Sequence, residues 1–243
     1  MKIDGSVALV TGANRGLGRA FARELLARGA AKVYGAARDP STVTEPGVEP
    51  VALDITDAAK VEEVAGRYAD VDLLVNNAGV SKYSQFIGAP DLSAARQEME
   101  TNYFGTLGMC RAFAPGLKAN GGGAIVNMLS VASFYGSPFL SSYAASKSAE
   151  WSLTNSIRIE LSRQGTLVVG VHAGYIDTDM TAEIDAPKST PETVAQQTFT
   201  AVEADEVEVL TDQRTRDVKA WLPHDHELVY PSVQESWEAA TRA

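Results

Sequence analysis

Apolar residues along this chain come in short runs, separated by longer stretches in which they return every three or four positions. Val7-Ala8-Leu9-Val10 is an apolar run ended by a glycine-rich segment, too short for a helix and suited to a buried strand. Across residues 16–29, Leu17, Ala20, Phe21, Leu25 and Leu26 fall on one helical face, which predicts the first helix. The same reading predicts strands at 32–37, 50–53, 71–75, 124–128 and 167–172. Between them it predicts helices at 57–68, 92–119 and 141–163, with the glycine triplet 121–123 breaking the long one. Beyond about residue 181 the pattern weakens. Residues 187–191 read as a loop, and 191–202 as a helix opened by Thr190-Pro191-Glu192. Residues 206–210 read as a final edge strand. From His224 onward the chain is polar and aromatic, and Tyr230, Pro231 and Trp237 suggest a tail packed on another part of the fold.

Alternating strands and helices, with strands apolar on both faces, predict a parallel sheet covered by helices on each side. The expected class is α/β, a Rossmann-like doubly wound parallel sheet in a single domain spanning residues 1–243. Within it, 182–243 would supply a substrate lid, helices, the edge strand and the tail. Such a sheet binds ligands at the carboxyl ends of its strands, where the strand order reverses.

Composition narrows the partners. Hydrophobic residues make up 45% and charged residues 21% of the 243 positions, with a formal net charge of −10. That balance argues against nucleic acid or an anionic membrane as the main partner. Cys110 is the only cysteine, so no intrachain disulfide can form and stability rests on the core. No stretch approaches the ~20 apolar residues of a membrane span. The first apolar run is too short for a signal peptide, and a cytoplasmic location is the default expectation. No metal-ligand pattern stands out.

Two motifs carry the chemistry. Thr11-Gly12-Ala13-Asn14-Arg15-Gly16-Leu17-Gly18 lies between the first strand and first helix. Glycines there let the backbone approach a pyrophosphate, whose charge the helix N-terminus stabilises. At the end of the second strand, where an acid would bind a ribose 2′-hydroxyl, the chain has Ala36-Ala37-Arg38. Arg38 suits a 2′-phosphate, with Arg15 as a second contact, so NADP(H) is expected over NAD(H). Farther on, Tyr143 and Lys147 stand four apart on a predicted helix and share a face. An ammonium beside a phenol favours the phenolate, which fits Tyr143 for proton transfer near neutral pH.

Taken with their order and spacing, these motifs resemble the classical short-chain dehydrogenase/reductase family from residue 6 to about 181. The matching pieces are the glycine loop, Asp54, Asn76-Asn77-Ala78-Gly79, Asn102, Ser130 and Tyr143-x-x-x-Lys147. The resemblance implies that Tyr143 is the general acid in carbonyl reduction and Ser130 binds the substrate oxygen. Lys147 would hold the ribose of the nicotinamide half and lower the pKa of Tyr143. Asn102 would position a water linking Lys147 to solvent. Gly12, Asn14, Gly16, Leu17 and Gly18 would cradle the cofactor, and Asp54 with Ile55 would meet the adenine. Asn76, Ala78 and Gly79 would wall the channel, while Gly174, Ile176 and Thr178 would meet the nicotinamide amide or the phosphates.

The family's Pro-Gly pair after the sixth strand is here Ala173-Gly174, which should loosen that turn. Ser133 rivals Ser130, which is preferred because it lies nearer the strand end. His172 reads as a core histidine. Tyr103 and Tyr135 read as packing or pocket residues.

The expected function is an NADP(H)-dependent oxidoreductase reducing a ketone or aldehyde. The alternative is a cofactor-binding regulatory protein of the same fold without catalysis. Halohydrin dehalogenases of the same lineage lack the glycine loop and the lysine, both present here. The short polar segment 181–191 suggests an open pocket. Val131, Ala132, Phe134, Tyr175 and Tyr83 would line it and suit small-molecule carbonyls without strong anionic groups. A homodimer or homotetramer built on the long helices is the expected assembly.

Overall fold

In a computed structural model, which describes residues 1–242, the apolar runs become seven parallel strands. They are β1 (Val7–Thr11), β2 (Lys32–Ala37), β3 (Val48–Ala52), β4 (Leu73–Asn76), β5 (Ala124–Met128), β6 (Leu167–His172) and β7 (Glu208–Leu210). Their spatial order is β3-β2-β1-β4-β5-β6-β7. Register is set residue by residue, with Val10 opposite both Gly35 and Val75, and Val75 opposite Val126. The chain winds outward from β1 to β3, then returns to lay β4 on the other side of β1. The strand order therefore reverses between β1 and β4.

Strand side chains alternate between two cores, as a period of two requires. Val10, Val75, Val126 and Val171 face α1 (Gly16–Ala27) and, farther along the chain, Pro191–Glu203. There Phe21 meets Phe199 edge to face at 5.6 Å. Leu9, Leu74, Ile125 and Val168 face the opposite layer. That layer contains α2 (Ala58–Arg67), capped by the Asp57 carboxylate on the Lys60 N–H.

The predicted 92–119 helix is three pieces: α3 (Ser93–Glu98), a π-helical segment Met99–Gly105, and α4 (Thr106–Ala119). α5 (Ser141–Leu161) completes the layer. Gly105 packs so closely on Ile55 that a Cβ there would lie 2.8 Å from its Cδ1.

β4 starts two residues later than predicted, because Val71 and Asp72 make the hand-off from α2. The Val71 N–H donates to Tyr68 O, and the Asp72 N–H to Val7 O at 2.9 Å. β7 is likewise shorter than the predicted 206–210.

The predicted 191–202 helix is α6 (Pro191–Glu203), N-capped by Thr190. The C-terminal region adds α7 (Gln213–Trp221), α8 (Asp225–Leu228) and α9 (Tyr230–Thr241). The tail's partner is the loop after β5. Val218 and Val229 bury against Val131, Phe134 and Tyr135, and Trp237 packs on Phe139 at 5.4 Å. No described helix is long and apolar enough to cross a membrane.

Candidate active site

At the carboxyl ends of β1, β2, β4, β5 and β6 lies a cavity of about 1070 Å³. Its geometry starts with the glycine loop. Gly16 has φ +50°, and a Cβ on Gly18 would run into the Gly12 carbonyl oxygen, so both positions demand glycine. Arg15 occupies the N-cap of α1 without a side-chain cap, and no acid stands in the first turn. The N–H groups that open α1 are therefore left for an anion. Gly12, Asn14, Arg15, Gly16, Leu17 and Gly18 all line this end.

Arg38, Asp54 and Ile55 line the adjoining wall. Asp39, which also lines this wall, makes no ion pair with Arg38: its carboxylate accepts from the Ser41 N–H at 3.0 Å and Ser41 Oγ at 2.6 Å. Those bonds hold its pKa below the ordinary range. Arg15 pairs with Asp179 at 2.6 Å, both exposed. Arg38 makes no ion pair among the described residues and stands at the end of β2, available for a phosphate.

Ser130, Tyr143 and Lys147 converge on the opposite end. Ser130 caps a 3₁₀ turn by accepting from the Ala132 N–H at 3.1 Å, which leaves its own O–H proton undirected. Ser133 lies outside the cavity wall and bonds instead to Ser130 O and, at 2.9 Å, to His172 Nδ1. His172 is fully buried and stacked on Phe134 at 4.2 Å. Burial, reinforced by nearby cations, pushes its pKa down to about 3. It is the neutral core histidine that the sequence suggested. Phe134 belongs to that stack and not to the cavity wall.

Lys147 donates to Met128 O at 2.8 Å and to Glu150 Oε2 at 2.6 Å. An ammonium has three donors, so one remains on the cavity side. Burial pushes the Lys147 pKa down, but the neighbouring Glu150 carboxylate, together with Tyr143, more than offsets it, and the net direction is up. A Cβ on Gly79 would come within 3.7 Å of Lys147 Nζ, so glycine there keeps the ammonium approachable. Ala78, Gly174, Ile176 and Thr178 also line the wall.

Two expected site residues are elsewhere. Asn76 is buried in the sheet, donating to Asn127 Oδ1 at 2.9 Å and to Cys110 Sγ at 3.3 Å. Strand alternation turns it away from the ligand side, and its neighbour Asn77 lines the cavity instead. Asn102 is also fully buried. Its Nδ2 donates to Val80 O and Ser146 Oγ, each at 2.9 Å, and its Oδ1 accepts from the Val80 N–H at 2.9 Å. With both amide protons engaged, it ties the loop after β4 to α5 and does not face the cavity.

Three features were missed. Asp212, the N-cap of α7, accepts from the Gly174 N–H at 2.7 Å, holding the turn that lacks the proline. The segment expected to leave the pocket open is anchored at both ends: just before it Asp179 pairs with Arg15 and Tyr83 Oη donates to Met180 O at 2.5 Å, and within it the Ser189 N–H donates to Tyr175 O at 2.9 Å. Arg214 on α7 lines the substrate end. Nothing local in the sequence marks it, because only tertiary packing brings α7 to the site.

Residues 6–189 match the family model for short chain dehydrogenase. The chain belongs to the short-chain dehydrogenase family. It is 36% identical over 200 residues to a sorbitol dehydrogenase of Cereibacter sphaeroides, covering 76% of each chain. It is 34% identical over 206 residues to a 3-oxoacyl-(acyl-carrier-protein) reductase of Vibrio cholerae, covering 81% of this chain and 83% of that one. Among solved structures, a short chain dehydrogenase from Burkholderia cenocepacia in complex with NADP superposes with a TM-score of 0.91 at 40% identity. The match covers 96% of this chain and 99% of that one. This short-chain dehydrogenase is an oxidoreductase.

Proposed function

We propose that this short-chain dehydrogenase uses NADP(H) to reduce a ketone or aldehyde to an alcohol, and runs the reverse reaction through the same groups. The observation that carries the reading is one cavity with Ser130, Tyr143 and Lys147 at one end and an unpaired Arg38 at the other. The uncapped N-terminus of α1 would hold the pyrophosphate, and Arg38 the 2′-phosphate. Lys147 would hold the ribose hydroxyls, Asp54 and Ile55 the adenine, and Ile176 and Thr178 the nicotinamide amide. When bound, the cofactor supplies the hydride equivalent.

The chain's own work is on the substrate oxygen. Tyr143 delivers a proton to it, and the undirected O–H of Ser130 donates a hydrogen bond to the charge that develops there. Lys147, kept protonated by Glu150, holds a positive charge beside the phenol. Asn102 acts through Val80 and α5 as a positioning residue. Exposed Phe104 in the π-helical segment and Ile159 on α5, 52% and 76% accessible, support a homodimer or homotetramer.

The test is NADPH and NADH consumption against ketones and aldehydes, with Tyr143→Phe alongside. The expected result is turnover favouring NADPH, lost in the variant while NADPH binding persists. NADPH binding without turnover of any carbonyl by the wild type would favour the regulatory reading.

A further inference from the structure

The substrate end of the cavity contains a cation that the carbonyl chemistry does not use. Arg214 lies in the first turn of α7, beyond the residues matched by the family model. Its Nη2 donates to Tyr135 Oη at 2.6 Å, and its Cζ sits 5.5 Å from the ring centroid of Tyr175. Both tyrosines line the cavity with it. The groups that support its charge are these two phenols, and no carboxylate among the described residues contributes. The nearest acids in sequence are committed elsewhere. Asp212 accepts from the N–H groups of Gly174 and Thr215 at 2.7 and 2.9 Å. Asp217 accepts from Gln213 Nε2 at 2.7 Å. A guanidinium carries five N–H donors in a planar fork, and its bonds to the Tyr135 and Tyr175 phenols leave the others free.

An aromatic-flanked guanidinium without a counter-ion, open to a ligand cavity, is built to receive a planar anion in two parallel hydrogen bonds. We infer that Arg214, positioned by Tyr135 and Tyr175, binds a carboxylate on the substrate, so that the natural substrate is an oxo acid and the product a hydroxy acid. This inference rests on the reductase reading for the fate of the carbonyl. The carbonyl carbon gains a hydride from the reduced nicotinamide, its oxygen gains the proton of Tyr143, and the carboxylate on Arg214 is unchanged. It replaces the expectation of substrates without strong anionic groups. The chain's net charge of −10 makes this local cation the discriminating element, because the protein's overall field repels an anion.

The experiment compares methyl-keto acids of increasing length, from acetoacetate and levulinate upward, each beside its methyl ester. Kinetics with NADPH are paired with calorimetric binding of the acids to the NADP⁺ complex. At one chain length the acid should exceed its ester in kcat/KM by about ten-fold or more. Most of the difference should lie in KM, and it should shrink as ionic strength rises. Arg214→Gln should bring the ratio close to one, Arg214→Lys should restore part of it, and Arg216→Gln on the outer face of α7 should leave it intact. Esters matching the acids at every length, a preference that survives Arg214→Gln, or acids that fail to bind would each overturn the inference. So would a loss of NADPH affinity in Arg214→Gln as large as the loss for the acid, which would make Arg214 a cofactor contact. Acid binding that depends on Arg214, without NADPH oxidation by any ketone or ester, would uphold the anion site and sink the reductase reading.

Discussion

Lys147 and Glu150 form an ion pair of 2.6 Å in which both side chains are almost fully buried, 6% and 2% accessible. Thr106 Oγ1 donates to the same carboxylate at 3.2 Å. A buried pair of this kind holds its lysine protonated, because neutralising one partner strands the other. Removing the carboxylate lets burial dominate, and the Lys147 pKa then falls. The Glu150→Gln enzyme should therefore lose activity at lower pH than the wild type, its alkaline limb moving down by about one to three units. A kcat/KM profile against pH checks this, and an alkaline limb that stays in place would show that Glu150 does not set the charge on Lys147.

Cofactor choice should turn on Arg38. Asp39 is held by Ser41, so a carboxylate placed at 38 faces the cavity with no cation already paired to it. Arg38→Asp should move the NADPH-to-NADH ratio of kcat/KM toward NADH by roughly a hundred-fold or more, as a repelled 2′-phosphate and a recognised 2′-hydroxyl combine. Steady-state kinetics with each cofactor give the ratio. A ratio that moved only a few-fold would place the 2′-phosphate elsewhere, with Arg15 the next group to test.

The two serines after β5 should separate cleanly. Ser130→Ala removes a donor aimed at developing charge and should lower kcat by about 10²–10³, while losing its cap on the Ala132 N–H should cost about 1 kcal/mol of stability. Ser133→Ala removes the 2.9 Å partner of the buried His172 Nδ1, leaving it only the longer contact with Ser130 O at 3.2 Å, and should cost about 1 kcal/mol of stability. Its kcat should stay near that of the wild type. Paired kinetics and urea unfolding distinguish them, and exchanged phenotypes would reverse the assignment.

His172 makes stability depend on acid. Its pKa falls from an ordinary 6.5 to about 3 in the fold, so the unfolded chain takes up a proton that the folded chain refuses. This contribution is complete above pH 6.5 and is lost progressively as pH falls toward 3. The slope is up to about 1.4 kcal/mol per pH unit for one proton. Urea unfolding of wild type and His172→Gln across that window should give a shallower pH dependence for the variant. Parallel curves would assign acid lability to other groups.

Sequence alone determined the layered α/β fold, because the central strands read as short apolar runs suited to burial and the helices carry an apolar face. It also located the glycine loop, Arg38, Ser130, Tyr143 and Lys147, whose spacing ties each to the end of a particular strand or to one face of a single helix. Tertiary structure decided the contacts between segments distant in the chain. It turned Asn76 into the sheet toward Asn127, and engaged Asn102 with Val80 and Ser146. It brought Asp212 to the turn at Gly174, and Arg214 to Tyr135 across 79 positions. Local pattern reports which face of an element is apolar. It carries no information about which distant polar group that element will meet, and here such meetings set the charge and shape of the cavity.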